Sequence, residues 1–287
     1  MGWEDFGYQG KRALVIGAAS GIGAATAALV ESLGASLVLA DVKPITDYGS
    51  AQCLTVDLRD PDSIAAMLDG LDAPVDALFL TAGLPGDPFP MADVMLVNFV
   101  GQRHVIEEAV RRGLVPQGGA IAVVSSLADM GWQDNLAVIK ELLAIPDFES
   151  ARQWVLDPSH AELVGDGYNF SKQTLSSYVR TRAASLNAQY GVRLNATSPG
   201  PTNTPLTRFF QAKSAASDLD FSVVFKDTTG HGPATPAEQA GPLAFLNSAA
   251  ASFVSGTVTH VDSGYHGGME TGSFSFAMFD SKKEHAS

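Results

Sequence analysis

The sequence predicts an α/β fold, a single doubly wound parallel sheet with helices on both faces. Short apolar runs and helical patterns alternate along the chain from its start. Most of the runs are continuously apolar, which is how strands covered on both faces read. The first of them leads through a glycine-rich turn straight into a helix.

Taken in order, Arg12 to Gly17 (RALVIG) reads as a buried strand, Gly21 to Gly34 as a helix stopped by glycine, and Ser36 to Val42 as a second strand. Further strands end at Asp57 (AQCLTVD), Gly83 (DALFLTAG), Ser126 (AIAVVSS), Gly200 (VRLNATSPG) and Gly264 (TVTHVDSG). Helical patterns separate them, which favours parallel pairing. No linker, repeat or low-complexity block appears, so residues 1–287 read as one domain. Two segments break the alternation. Residues 129–167 hold two helix-periodic stretches, NLAVIKELLAI and FESARQWVL, and residues 204–232 hold TRFFQAKSAASDLDFSVVF. Residues 279–287 form a polar tail that is expected to fray.

A chain of 287 residues can build a core without disulfide or metal support. Its one cysteine, Cys53, excludes an internal disulfide and, lying in an apolar run, reads as a small core residue. The net charge of −13 argues against a nucleic-acid or anionic-membrane partner, since both require a positive face. The N-terminal MGWEDFGYQGKR lacks a signal-peptide core, and no run is long enough to span a bilayer, so a cytoplasmic protein is expected.

The turn after the first strand is Gly17-Ala18-Ala19-Ser20-Gly21-Ile22-Gly23. Glycines there let the backbone approach a pyrophosphate, and the helix N-terminus presents free N–H groups to it. Asp41 follows Gly17 by 24 residues, near the spacing of about 20 expected for a carboxylate that binds the adenosine ribose. It would repel a 2′-phosphate, and only Lys43 nearby could offset that, so NAD is favoured over NADP. Tyr168 and Lys172 stand four residues apart, on one face if the segment is helical.

The G-x3-G-x-G spacing of Gly17, Gly21 and Gly23, with Tyr168-x3-Lys172, resembles the short-chain dehydrogenase/reductase family over nearly the whole chain. The resemblance implies a Rossmann-like domain and an ordered set of sites. Gly17, Ser20, Gly21, Ile22, Gly23 and Asp41 would hold the cofactor, as would Asp57 with Leu58 near the adenine and Ala82-Gly83 after the fourth strand. Pro199, Gly200, Thr202 and Thr204 would form the nicotinamide-side loop. Asn98, Ser126, Tyr168 and Lys172 match the catalytic positions, with Tyr168 and Lys172 also touching the cofactor.

Tyrosine with a pKa near 10 is a poor base at neutral pH, and the Lys172 ammonium and the positive nicotinamide are together expected to lower it. Ser126 would hold the substrate oxygen. Ser125 is the competing serine, but successive strand residues point to opposite faces, and the family pattern marks the second. Asn98 would anchor a water in a proton relay, or else satisfy a helix carbonyl. Two positions depart from the family: Ile16 replaces a threonine, and Leu80-Thr81 replaces Asn-Asn, so inter-strand hydrogen bonds must be replaced or lost.

Ser126 and Tyr168 are 42 residues apart, where about a dozen would reach from strand to helix. This insertion resembles the subgroup of 3α-hydroxysteroid dehydrogenase/carbonyl reductases and coniferyl-alcohol dehydrogenases. Its helices are expected over the outer face near the Tyr168 helix, altering subunit contacts in what would be a homodimer or homotetramer. Residues 204–232 are placed as a substrate lid, in which Phe209, Phe210, Phe221 and Phe225 either line an apolar pocket or pack the lid down. The six histidines show no HxxxH or His/Cys cluster, and no metal is assigned; His231 and His266 read as surface or hydrogen-bonded residues. The expected activity is NAD-dependent interconversion of a hydrophobic alcohol and its ketone or aldehyde, with a non-catalytic redox sensor of the same fold as the alternative. Enoyl reduction fits poorly, because that chemistry in this family usually sets its tyrosine and lysine further apart.

Overall fold

The computed structural model describes residues 6–46, 48–207, 209 and 221–273. Seven parallel strands form one sheet in the order β3-β2-β1-β4-β5-β6-β7. They are β1 Arg12–Ile16, β2 Ser36–Asp41, β3 Gln52–Thr55, β4 Ala77–Leu80, β5 Ala120–Val124, β6 Arg193–Pro199 and β7 Val258–Val261. The strand order reverses between β1 and β4, so a crevice opens beyond their carboxyl ends, where sheets of this kind bind ligands.

The pleat explains why the strand sequences are continuously apolar. Leu14, Ile16, Val38, Ala40, Leu78, Leu80, Ile121 and Val123 enter one core. Their neighbours Ala13, Val15, Leu37, Leu39, Ala77, Phe79, Ala122 and Val124 enter the core on the opposite face. With each fully buried Val, Leu, Ile or Phe contributing roughly 1.5–3 kcal/mol, neither face can be left polar. Helices α1 (Gly21–Ser32) and α10 (Pro236–Asn247) pack together on one side. Helices α2 (Pro61–Asp69), α4 (Gly101–Arg111) and α8 (Tyr168–Tyr190) cover the other.

Cys53 departs from expectation. It lies on edge strand β3 and is exposed, because the pleat there leaves one face of a short edge strand in water. The helix before α4 also holds an element that periodicity cannot reveal. After α3 (Met91–Met95), residues Leu96–Val100 form a π-helical turn, with Asn98 at its centre. Single π turns inside helices recur at functional positions.

The insertion supplies α5 (Leu136–Ala144), α6 (Phe148–Leu156) and α7 (Ala161–Val164). Helices α5 and α7 pack on α8, and α6 packs on α3 and the π turn. Buried Arg103 from α4 fixes the insertion by donating from Nη1 to the carbonyls of Leu142 (3.3 Å) and Ile145 (2.9 Å). It thereby satisfies carbonyls left open at the end of α5, where a cation is also favoured by the helix dipole. Covered by the sheet on one side and the insertion on the other, α8 buries the polar residues Ser171, Lys172, Gln173, Thr174, Ser176 and Ser177. Of the proposed lid, the structure describes residues up to 207, Phe209, and helix α9 (Phe221–Thr229). Helix α11 (Tyr265–Glu270) follows β7, and the polar tail lies outside the described residues.

Candidate active site

A cavity of ≈ 980 Å³ runs across the carboxyl ends of the strands. That is at the upper end of the range of about 300–1,000 Å³ for small-molecule pockets, and it spans two chemically different ends. At one end lie Gly17, Ser20, Gly21, Ile22, Asp41, Asp57 and Leu58; at the other, Ser126, Tyr168, Lys172, Pro199, Gly200, Thr202 and Thr204. Ala82 and Gly83 line it between them.

At the first end the backbone sets the geometry. Gly17 has φ +90°, and a Cβ there would stand 2.4 Å from the Ala82 nitrogen. A Cβ on Gly23 would meet the Gly17 carbonyl oxygen at 2.1 Å. Only glycine lets β1, the start of α1 and the turn after β4 approach so closely. Ser20 at the N-cap makes no side-chain capping bond, so the first N–H groups of α1 remain available to an anion. Both oxygens of Asp41 accept backbone N–H bonds, from Ala19 and Lys43, each at 3.0 Å. These bonds hold the carboxylate at the cavity edge.

Thr81, at one of the two departures from the family pattern, restores a bond between β1 and β4. Thr81 Oγ1 donates to the Ile16 carbonyl at 2.8 Å and approaches that of Gly17 at 3.3 Å, so the β1–β4 link is replaced rather than lost. Asp57 lines the cavity, but its carboxylate is clasped by Arg59 at 2.7 Å, and Arg59 reaches Asp93 at 2.8 Å. Those Arg59 hydrogen bonds hold the Asp57 carboxyl below its ordinary range. Arg59 follows Asp57 by two residues, yet nothing in that spacing announces the pairing.

At the second end, left-handed Gly167 (φ +86°) and the Asp166 carboxylate, which accepts from the Tyr168 amide at 3.0 Å, start α8 abruptly at the tyrosine. Tyr168 Oη donates to Ser126 Oγ at 3.2 Å. Ser125 points the other way, with its Oγ 2.7 Å from Ser176 Oγ and 3.2 Å from the Lys172 carbonyl. Of the two serines, Ser126 is therefore the one beside Tyr168. Lys172 is buried one helical turn on, and its Nζ donates to the Val124 carbonyl at 2.9 Å.

Burial pushes the Tyr168 hydroxyl up to about 12, with Asp166 and Asp129 adding to the rise and the Ser126 hydrogen bond opposing it. It also pulls Lys172 down to about 8, against the attraction of Asp129. The lowering expected from the ammonium and the positive nicotinamide together is therefore not made by the chain's own residues. Desolvation outweighs the ammonium, because the same burial weakens the lysine's own hold on its charge.

Asn98 is wholly buried. Its Oδ1 accepts from the Leu84 amide at 2.8 Å, and its Nδ2 donates to the Leu84 carbonyl (3.0 Å) and Ser171 Oγ (3.1 Å). Ser171 Oγ in turn donates to the Tyr168 carbonyl at 2.7 Å. The side chain therefore ties the β4 loop to the first turn of α8, and the carbonyl it satisfies belongs to that loop rather than to a helix.

The apolar wall of this end is made by Phe89, Phe209, Leu206, Leu127, Met130 and Tyr265. Phe209 meets Phe89 edge to face at 5.8 Å. Phe225 instead packs with Leu127 and Tyr265, its ring 5.3 Å from that of Tyr265, and so anchors α9. Phe210 and the side chain of Phe221 lie outside the described residues. Among the lining residues that sequence did not single out, Tyr265 and Met130 come from segments without a motif. Thr202 Oγ1 donates to the Gly200 carbonyl at 2.9 Å, and Thr204 and Thr207 pair through their hydroxyls at 3.1 Å, which stiffens the loop after β6.

Family models match both halves of the chain: one described as short chain dehydrogenase over residues 11–137, and one described as Enoyl-(Acyl carrier protein) reductase over residues 159–266. The chain belongs to the short-chain dehydrogenase/reductase family of oxidoreductases, which use a nicotinamide dinucleotide. It is 30% identical to a coniferyl-alcohol dehydrogenase of Pseudomonas sp. strain HR199 over 70% of this chain and 76% of the relative. It is 33% identical to the 3-alpha-hydroxysteroid dehydrogenase/carbonyl reductase of Comamonas testosteroni over 88% of this chain and 95% of the relative. Among solved structures, the 3-alpha-hydroxysteroid dehydrogenase of Pseudomonas sp. B-0831, complexed with NADH, superposes with a TM-score of 0.72. That likeness has 26% identity and covers 92% of this chain and 100% of the other. Among the described residues, no helix is long and apolar enough to cross a membrane.

Proposed function

We propose that the protein is an NAD-dependent alcohol dehydrogenase/carbonyl reductase that interconverts a hydrophobic alcohol and its carbonyl, with Tyr168 carrying the proton. The observation that carries this reading is the 3.2 Å pairing of Tyr168 Oη with Ser126 Oγ in the same cavity that holds Asp41. The tight turn that Gly17 and Gly23 allow, where a Cβ would collide with Ala82 and with the Gly17 carbonyl, brings backbone to the start of α1 in a way that fits a pyrophosphate, and Asp41 fits the ribose of the adenosine. NAD is favoured over NADP because Arg59 is already paired with Asp57 and Asp93, leaving Lys43 as the base beside Asp41.

When bound, the nicotinamide accepts or supplies the hydride. Ser126 then positions the substrate oxygen, and Tyr168 gives that oxygen a proton in the reducing direction or takes one in the oxidising direction. Lys172, one helical turn beyond Tyr168, would hold the nicotinamide ribose through its ammonium and, with the nicotinamide charge, oppose the desolvation of the phenol. Asn98 orients Tyr168 through Ser171 and the first turn of α8. Because burial keeps Tyr168 protonated at neutral pH, alcohol oxidation should accelerate as pH rises, whereas carbonyl reduction finds the acid already in place.

The apolar wall supports a bulky cyclic or aromatic substrate, a hydroxysteroid or an aryl alcohol. The named relatives support the same class, among them the cis-4-hydroxycyclohexanecarboxylate dehydrogenase of Sinomonas cyclohexanicum, 30% identical over 88% of this chain and 95% of the relative. On this reading residues 1–287 make one cofactor-binding domain in the cytoplasm, with 129–167 and 204–232 shaping its substrate end. The insertion covers α8 and α3, so subunits of a homodimer or homotetramer would meet elsewhere.

The test is NADH formation at 340 nm with NAD or NADP and a panel of 3-hydroxysteroids, cinnamyl-type alcohols and simple secondary alcohols. Turnover with NAD on one bulky class is expected. Tight NADH binding with no turnover of any alcohol would favour the redox-sensor reading instead.

A further inference from the structure

Behind the Ser126 loop the fold assembles three residues that lie far apart in sequence. Asp129 ends the short turn Leu127–Asp129, His260 lies on β7, and His266 lies on α11. One potential ligand atom from each lies within 4.8 Å of the other two. The sequence could not show this, because Asp129 stands 131 residues before His260. His266, read from sequence as a surface or hydrogen-bonded residue, is only 7% exposed.

The chemistry of the cluster is unfinished. Asp129 is 1% exposed and accepts hydroxyl hydrogen bonds from Ser176 (2.6 Å) and Ser198 (3.3 Å), but among the described residues no basic side chain forms an ion pair with it. Buried carboxylates are normally paired with a cation or bound to a metal. His260 Nε2 and His266 Nδ1 are both buried and without a hydrogen-bond partner among the described residues. The two rings stack at 3.5 Å, an arrangement that disfavours a charge on both.

We propose that Asp129, His260 and His266 bind one divalent transition-metal ion, best matched by zinc, which staples the Ser126 loop to β7 and α11. Two imidazoles and one carboxylate make a three-ligand zinc set with a fourth position for water, whereas calcium and magnesium would demand oxygen ligands. The surroundings match a metal's outer shell. His266 Nε2 lies 3.1 Å from Glu270, leaving Nδ1 for the ion, and two serines orient the Asp129 carboxylate. Imidazole lone pairs lie in the ring plane, so one ring must turn out of the stack for both to converge. His260 is the ring to turn, since its Nε2 has no hydrogen bond to break. The ion would stand outside the cavity and steady Leu127, Met130 and Tyr265 in its wall, with no part in proton transfer.

The test uses the full chain without a histidine tag, stripped with a chelator and then given zinc chloride. One zinc per chain is expected by elemental analysis, and at a hundredfold excess over Kd the melting temperature should rise by about 4–5 °C. The double variant His260→Gln/His266→Gln should lose both the ion and the thermal response while still quenching with NADH like the parent. A parent that retains no zinc and melts unchanged overturns the proposal, as does equal uptake by the double variant. Should that variant not fold, cobalt decides on the parent alone: strong visible bands of four-coordinate cobalt support the site, and the pale spectrum of the hydrated ion refutes it.

Discussion

The two ends of the cavity are built by different means. The cofactor end is made of backbone: the positive φ of Gly17, the close approach at Gly23, and two N–H bonds that fix Asp41. The substrate end is made of side chains brought from the β4 loop, the Ser126 loop, α8, the lid and α11. A backbone cradle tolerates almost no change in sequence, so it leaves a motif; a wall of packed side chains can be made in many ways. Mutations should therefore separate the two ends, one set altering binding and the other chemistry.

The largest effect is expected at the chemical end. Tyr168→Phe keeps the ring but removes the exchangeable proton, and should lower kcat by about 10²–10⁴-fold, measured at 340 nm under saturating cofactor. At the cofactor end, Gly17→Ala places a Cβ 2.4 Å from the Ala82 nitrogen at φ +90°. It should cost at least about 1–3 kcal/mol of stability and abolish measurable NAD binding by calorimetry.

Asp41→Ala should weaken NAD by roughly 10–100-fold, the worth of about 1.5–3 kcal/mol in charged hydrogen bonds, and weaken NADP far less. Equal loss for both cofactors would remove Asp41 from the ribose.

Lys172 gives a prediction of opposite sign for stability and activity. Its pKa falls from 10.5 to about 8 because burial penalises the ammonium. Between those values the unfolded chain binds more protons, so this group makes stability rise with pH across that window, and below it the penalty is fully present. Lys172→Met should therefore be more stable than the parent at pH 7, by roughly 1–3 kcal/mol less the lost Val124 bond, with the gain vanishing above pH 10.5. Turnover should be lost. The smallest effect belongs to Thr81→Val, which removes the hydroxyl bridge between β1 and β4. It should cost about 0.5–1.5 kcal/mol, seen as a drop of a few degrees in the melting temperature.

The same contrast explains which parts of the molecule are legible in its sequence. All seven strands, the first helix and the helical insertion were legible because buried parallel strands and amphipathic helices leave periodic signals. Ser126 beside Tyr168 was legible from motif order. Cys53 was misjudged, since an apolar run does not say which residue of an edge strand faces water. Spacing also reports the Lys172 neighbour of Tyr168 but not the desolvation that raises its hydroxyl. Nor could spacing show the π turn at Asn98, the Arg59 clasp on Asp57 or the convergence of Asp129 with His260 and His266, which depend on long-range packing.

The most direct test measures two quantities on two variants: NADH affinity by fluorescence and turnover by absorbance at 340 nm, for Tyr168→Phe and Asp41→Ala. Separable lesions are predicted. Tyr168→Phe should bind NADH like the parent and turn nothing over, while Asp41→Ala should bind weakly yet approach parental kcat at saturating NAD. Tyr168→Phe with parental turnover, or both variants losing affinity and kcat alike, would contradict the division of the cavity into a binding end and a chemical end.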